Sequence, residues 1–332
     1  MSRKRRSNNL SVNDLTKLRG SLRSDYIDFE DGVDLFIKDA KIRNLREHTI
    51  KYYENELRAF KRLLEGQDVD TTPGNITPEI IRENVILYLR DVKGLKITSV
   101  NTRLRAIRAY FNFLYERNYL PTNPMRDVKQ VRDRKSVIAT FSVKQLNDLL
   151  NQPDLKTFTG VRDYTLMLLL VETGIRANEL VGLKITDIHW DESNLLIRNT
   201  KGYKQRMVPL SVTMKDQLRR YSAIRGVIVD CDSLFVTVDE TPLTKRQIQN
   251  RISQYGKDAK ISNVRCSPHT FRHTFAKLSV KNGAGIFELQ TILGHTTMDM
   301  VKTYVNLFSD DVKDKHRKFS PLNNLKQRRD FN

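Results

Sequence analysis

Residues 160–183 read GVRDYTLMLLLVETGIRANELVGL. Every residue from Leu166 to Val171 is apolar, so no face of this segment is left for water. It reads as a helix buried on all sides, the centre of a domain core. Gly174 interrupts it, and Arg176 follows at the start of a second, shorter helix, IRANELVGL. A guanidinium emerging beside a buried helix needs a partner. Glu179, three residues on, occupies the neighbouring helical position and can hold its fork. Taken alone, the two are an ordinary structural pair.

The text around this core is mostly helical. Upstream, FSVKQLNDLLNQP has helical spacing; downstream, helices are expected over about 244–258, 268–281, 286–293 and 297–304. NLLIRNTKGYKQRMVPL, residues 194–210, reads instead as a β-hairpin with Lys201-Gly202-Tyr203-Lys204 near its turn. In the first third, Ile50, Tyr53, Leu57, Phe60 and Leu64 recur at steps of three and four, one apolar stripe of a helix. Glu47 and Thr49 sit in its first turn, where acidic and capping groups suit the dipole. Leu104, Ile107, Phe111 and Leu114 repeat the pattern. Helices over about 28–42 and 77–92 complete a four-helix unit, with Pro73-Gly74 separating the second from the third. Arg105 and Arg108 lie off the stripe, as solvated residues or as contacts to a phosphate backbone.

These patterns divide the chain into a basic, mobile arm (1–23), a helical domain (24–120), a basic linker (121–140), a mixed but mainly helical domain (141–308) and a tail (309–332). The linker reading rests on PTNPMRDVKQVRDRKSVIAT, which has two prolines and no sustained periodicity.

The formal net charge is +19, the balance of 58 Lys and Arg against 39 Asp and Glu. Such an excess attracts polyanions, nucleic acid above all. No apolar run approaches the roughly 18 residues that span a bilayer, and MSRKRRSNNLSVNDL lacks the apolar stretch of a secretory signal. Cys231 and Cys266 have no metal-ligand spacing and are expected as reduced thiols in cytosol. No GxxxxGK[ST] loop is present, and no carboxylate cluster has the pattern of a two-metal nuclease.

Several residues could do chemistry. In SPHTFRHTF, Ser267 is a plausible N-cap and Pro268 suits the first helical position. His269 and Arg272 then share one helix face, with the positive end of the helix dipole beside them. In LGHTTMDMVKTYV, His295 follows a glycine at a helix end. Tyr304, nine residues later, is the only tyrosine in the last 77 residues. Each taken singly is an ordinary structural residue. Together, two arginines, two histidines and a downstream tyrosine can hold a phosphodiester and attack it without a metal.

The combination of TGIRANEL, NTKGYKQRMVPL, PHTFRHTFA, LGHTTMDMVKTY and the helical text with Thr49, Tyr53, Leu57 and Phe60 resembles the tyrosine recombinase (phage integrase) family over about residues 26–310. The resemblance implies six active-site positions: Arg176, Lys201, His269, Arg272, His295 and Tyr304. It implies a helical, SAM-like core-binding domain and a mostly helical catalytic domain with a small sheet, closing as a C-shaped clamp around duplex DNA. It implies cleavage through a 3′-phosphotyrosyl link with neither cofactor nor metal, by a homotetramer on paired core sites, in the cytoplasm of a bacterium. The tail after Tyr304 is expected to dock on a neighbouring subunit. Integration, excision or transposition of a mobile element is the expected role, since the short arm leaves no room for an extra arm-site domain. Dimer resolution by the same chemistry, a monomeric type IB-like topoisomerase and an inactive DNA-binding protein are the alternatives.

Overall fold

The apolar stripes of the first third fold as helices. The computed structural model describes residues 27–133, 139–198, 205–228 and 230–294. The chain divides into two units between Ser136 and Val137. The arm over 1–23, Lys201, Lys204, His295, Tyr304, the helix expected over 297–304 and the tail lie outside the described residues.

The first unit contains α1 (Phe29–Ile42), α2 (Glu47–Glu65), α3 (Pro78–Ile80 continuing as Ile81–Val92 with i→i+5 bonding) and α4 (Ile97–Glu116). Asp28 caps α1, its carboxylate accepting the Asp31 N–H at 2.8 Å. Glu47 opens α2, and a short 3-10 turn over Pro73–Asn75 separates α2 from α3. The α2 stripe buries Ile50, Leu57, Phe60 and Leu64. Phe36 stands edge-on to Tyr53, with ring centroids 5.0 Å apart, and Phe60 edge-on to Phe111 at 6.3 Å.

The linker starts later than the prolines suggest. Met125 and Val128 are buried in the core of the helical unit. Asn101 exchanges two hydrogen bonds of 2.9 Å with the Val131 backbone. Arg108 donates to the carbonyl of Met125 at 3.1 Å and also to that of Val128. Through Val131 the segment is therefore part of the first unit: its few apolar side chains find a core, and Arg108 holds its carbonyls. Arg108 is committed to this staple, whereas Arg105 remains exposed.

The second unit begins with α5 (Val143–Leu150), which has a full capping box of Ser142 and Gln145. The apolar run Leu166–Val171 lies in α6 (Phe158–Thr173), capped by Thr157 and ended by Gly174 at φ +58°. Leu166, Met167, Leu169 and Leu170 are all buried. Then follow α7 (Ala177–Val181), a 3-10 turn (Ile185–Asp187), β1 (Ile188–His189), β2 (Asn194–Ile197) and β3 (Arg206–Pro209). The expected hairpin is β2–β3, antiparallel, with Ile197 opposite Arg206 and Asn194 opposite Pro209. The two-residue β1 extends it to three strands.

Four helices complete the unit: α8 (Val212–Arg225), α9 (Lys245–Asp258), α10 (Pro268–Lys281) and α11 (Ile286–Leu293). Phe271 on α10 is fully buried, its ring 5.1 Å from that of Phe141. Burying such a ring contributes about 1.5–3 kcal/mol and fixes the helix that carries His269 and Arg272. Among the described residues no helix is long and apolar enough to cross a membrane, and no group of His, Cys, Asp and Glu is arranged to hold a metal ion.

Candidate active site

The N-terminus of α10 is built as its sequence suggests. The Ser267 hydroxyl accepts the Thr270 N–H at 3.3 Å, and Pro268 takes the first helical position. Arg272 follows one turn in and is 4% exposed. A charge so buried must be compensated. Arg272 donates to two carbonyls at 2.8 Å, those of Gly174 and Leu293. Gly174 ends α6 and Leu293 is the last residue of α11, so the guanidinium sits where two helix dipoles present their negative ends.

Arg176 reaches the same place from another element. It is the N-cap residue of α7, in extended conformation, and its backbone N–H donates to Glu179 Oε2 at 2.9 Å. Its side chain donates from Nη1 to Glu179 Oε1 at 2.9 Å and to the Leu293 carbonyl at 3.4 Å, and from Nη2 to the Gly294 carbonyl at 3.3 Å. The pairing of Arg176 with Glu179 expected from their spacing is present. It coexists with the convergence on Arg272, so the structural pair is also part of the site.

Glu179 has a second partner that the sequence reading missed. Arg206 on β3 donates Nη1 to Oε1 at 3.1 Å and Nη2 to Oε2 at 2.8 Å. Burial pushes the Glu179 carboxyl up, but the bonds and charge of Arg206, then the N–H and charge of Arg176, outweigh it and hold the pKa below the usual carboxylate range. The signal lies in the strand register. Arg206 lies opposite the buried Ile197, and cross-strand partners share a face, so the register puts an arginine on the inward side of the sheet.

His269 stands one turn before Arg272, exposed at the surface of α10. Its pKa is lowered by desolvation first, then by Lys245, Arg272, Arg176 and Arg265. Desolvation, and after it these cations, favour the neutral imidazole, the form that accepts a proton. His273 is lowered too, by desolvation and then by His269 and Arg272.

The structure thus brings together Arg176, His269 and Arg272. In sequence Lys201 lies between β2 and β3, His295 directly follows Gly294, and Tyr304 lies nine residues further on; all three are outside the described residues. Gly294 ends α11 at φ +63°. Two anchored guanidiniums and a neutral imidazole suit an oxyanion whose charge grows during reaction.

Residues 137–310 match the family model described as "Phage integrase family", and residues 33–118 the one described as "Phage integrase, N-terminal SAM-like domain". The chain is 31% identical over 277 residues to tyrosine recombinase XerC of Syntrophus aciditrophicus, covering 79% of this chain and 88% of that protein. It is 29% identical over 284 residues to tyrosine recombinase XerC of Thermodesulfovibrio yellowstonii, with coverage of 83% and 91%. Among solved structures, a lambda integrase tetramer bound to a Holliday junction shares the fold at a TM-score of 0.70 and 16% identity, covering 87% of this chain and 80% of that one.

Proposed function

The chain belongs to the phage integrase family, and from that premise we propose that it is a site-specific recombinase that breaks and rejoins DNA through Tyr304. A free phenol has a pKa of about 10 and is a poor nucleophile until its proton is removed. His269, neutral at pH 7, accepts that proton. The Tyr304 oxygen bonds to phosphorus while Arg176 and Arg272 hold the non-bridging oxygens and offset the charge of the transition state. His295 donates a further hydrogen bond. The bond from phosphorus to the 5′ oxygen breaks, and Lys201 protonates the leaving oxygen. The products are a 3′-phosphotyrosyl link and a free 5′-hydroxyl. Reversal with a new 5′-hydroxyl rejoins the strand without ATP, because the phosphodiester energy is retained.

The observation that carries this reading is the shared use of the Leu293 carbonyl by Arg176 and Arg272, with His269 one turn away on α10. The test uses duplex sites selected from a randomised library by binding, nicked beside the cleavage position so that a short strand is lost. The expected product is a covalent adduct that survives denaturation and EDTA and is not formed by Tyr304→Phe. An adduct from that variant, or none from the unaltered protein, sinks the reading.

The reading extends to double-stranded DNA with paired core sites as substrate and a homotetramer as the active assembly. The role put forward is integration, excision or transposition of a mobile element. Dimer resolution is the second reading, favoured by the near full-length likeness to XerC. Plasmids with two sites in either orientation separate recombination from relaxation alone, which a monomeric topoisomerase would give.

A further inference from the structure

The carboxylate of Glu179 is 1% exposed and fully used. Oε1 accepts from Arg176 Nη1 at 2.9 Å and Arg206 Nη1 at 3.1 Å; Oε2 accepts from the Arg176 N–H at 2.9 Å and Arg206 Nη2 at 2.8 Å. A carboxylate offers about four acceptor positions, so none is left. The third edge of the Arg206 fork is also committed, with Nε donating to the Ile292 carbonyl at 2.7 Å. Its side chain is 9% exposed. Gly294 lies directly over it: a Cβ added there would come within 2.8 Å of Nη1, 2.9 Å of Cζ and 3.0 Å of Nε. One side chain therefore joins the base of the β2–β3 hairpin, the start of α7 and the last turn of α11. These are the three elements next to Lys201, Arg176 and His295 in sequence.

We propose, resting on the reading of this site as a DNA-cleaving one, that Arg206 is a positioning residue: it occupies half of Glu179 and so keeps Arg176 available to the scissile phosphate. The reasoning is a charge count in a dry place. Glu179 carries one negative charge and faces two arginines. Arg206 neutralises it, and the charge of Arg176 is left over for an incoming phosphate. Without Arg206, two acceptor positions on a buried carboxylate stand open, which is costly. Arg176 is already bonded to that carboxylate and turns further onto it. The Ile292 carbonyl loses its partner at the same time, and the α11 end that both catalytic arginines grip through Leu293 is loosened. Arg206 touches no reacting atom; it acts through Arg176. A lysine in its place would keep the charge but cannot make three planar contacts at once.

The experiment measures single-turnover release of the 5′-hydroxyl strand from nicked duplexes carrying either the normal scissile phosphate or a methylphosphonate at that position. The methyl group removes one negative charge from the reacting centre, so the need for the Arg176 charge falls. Arg206→Met is expected to slow the phosphate substrate about 100-fold, the cost of displacing a catalytic group by about 1 Å. It should slow the methylphosphonate by less than about threefold, under 1 kcal/mol of barrier, with site binding unchanged. Arg176→Ala should show the same selective loss, and Arg206→Lys an intermediate one; if Arg206→Met does not fold, Arg206→Lys carries the comparison. Equal losses on the two substrates would make Arg206 a merely structural residue and overturn the proposal, as would unimpaired cleavage of the phosphate. If the unaltered protein forms no covalent adduct, the recombinase reading itself has failed before any variant is compared, and this proposal falls with it.

Discussion

Arg176 and Arg272 share an acceptor: Nη1 of the first lies 3.4 Å, and Nη2 of the second 2.8 Å, from the carbonyl oxygen of Leu293. The two residues are far apart in sequence: Arg176 caps α7, and Arg272 lies within α10. What fixes their separation is the end of a third helix, α11, whose terminal carbonyls are unpaired within the helix and so remain open to outside donors. The site is therefore held by backbone atoms. Its precision depends on how α6, α10 and α11 pack at their ends.

Gly174 tests that dependence. It ends α6 at φ +58°, and its carbonyl accepts Arg272 at 2.8 Å. An added Cβ would lie 2.5 Å from Phe275 Cδ1 and 3.0 Å from Leu293 Cδ2. Gly174→Ala is expected to cost about 1–3 kcal/mol from the left-handed backbone and the overpacking. The clash falls on α10 and α11 together, so cleavage should drop by more than the stability loss explains at a temperature where the variant is folded. Thermal melting and single-turnover cleavage measure the two effects. Wild-type cleavage would show that the site tolerates movement at this junction.

Much of this was legible in the sequence, and the limits have physical causes. The α2 stripe and the buried α6 follow from periodicity and composition alone. Ser267, Pro268, His269 and Arg272 encode a helix start and a candidate catalytic face in six residues. Helix α8 is not legible in the sequence because Met214, Leu218 and Tyr221 are spread through charged text, VTMKDQLRRYSAIR, although Ser211 caps it. The two prolines of the 121–140 segment are conspicuous in the sequence, whereas the burial of Met125 and Val128 in the first core is not. Arg206 was missed because its role depends on strand register. The convergence at Leu293 could not be read at all, since a backbone carbonyl has no signature in a sequence.

The depressed pKa of His269 gives a pH prediction with a definite sign. Desolvation and then Lys245, Arg272, Arg176 and Arg265 all lower it from 6.5. Between the folded value and 6.5 the unfolded chain binds more protons than the folded one, so stability rises with pH through that window. This contribution is complete above 6.5 and is lost as pH falls toward the folded value. Cleavage should follow the same group. Its acid limb should have a midpoint below 6.5, because only the neutral ring accepts the Tyr304 proton. His269→Gln should reduce the rate and remove that limb. A midpoint above 6.5, or a limb unchanged in the variant, would assign the limb to another group.

Lys201 is expected to be the general acid. General acid catalysis contributes about 100- to 10,000-fold, so Lys201→Ala should slow cleavage within that range while site binding changes little. A 5′-thiol is a good leaving group without protonation. On a substrate with a bridging 5′ sulfur, the variant should therefore regain most of the lost rate. If sulfur rescues nothing in Lys201→Ala but does so in Lys204→Ala, the acid is Lys204.

The tail should control assembly rather than chemistry. After Phe308 the sequence SDDVKDKHRKFSPLNNLKQRRDF carries Val312, Phe319, Leu322 and Leu325 among many charges. So few apolar residues cannot form a core of their own, yet are enough to fill a groove on another protein. The family resemblance implies docking on a neighbouring subunit. Such a contact would link cleavage in one protomer to the state of the next, as required if only two of four strands are to be cut at once. The competing reading is a basic extension that adds phosphate attraction alone, which would show as a salt-dependent loss of affinity. Truncation after residue 308 leaves Tyr304 in place and separates the two. Docking predicts single-site binding within about threefold of the full chain, since few phosphate contacts are lost, together with loss of the four-subunit synapse in sizing experiments and of recombinant product. A truncated protein that still assembles four subunits on two sites and recombines at the normal rate would remove any such role from the tail.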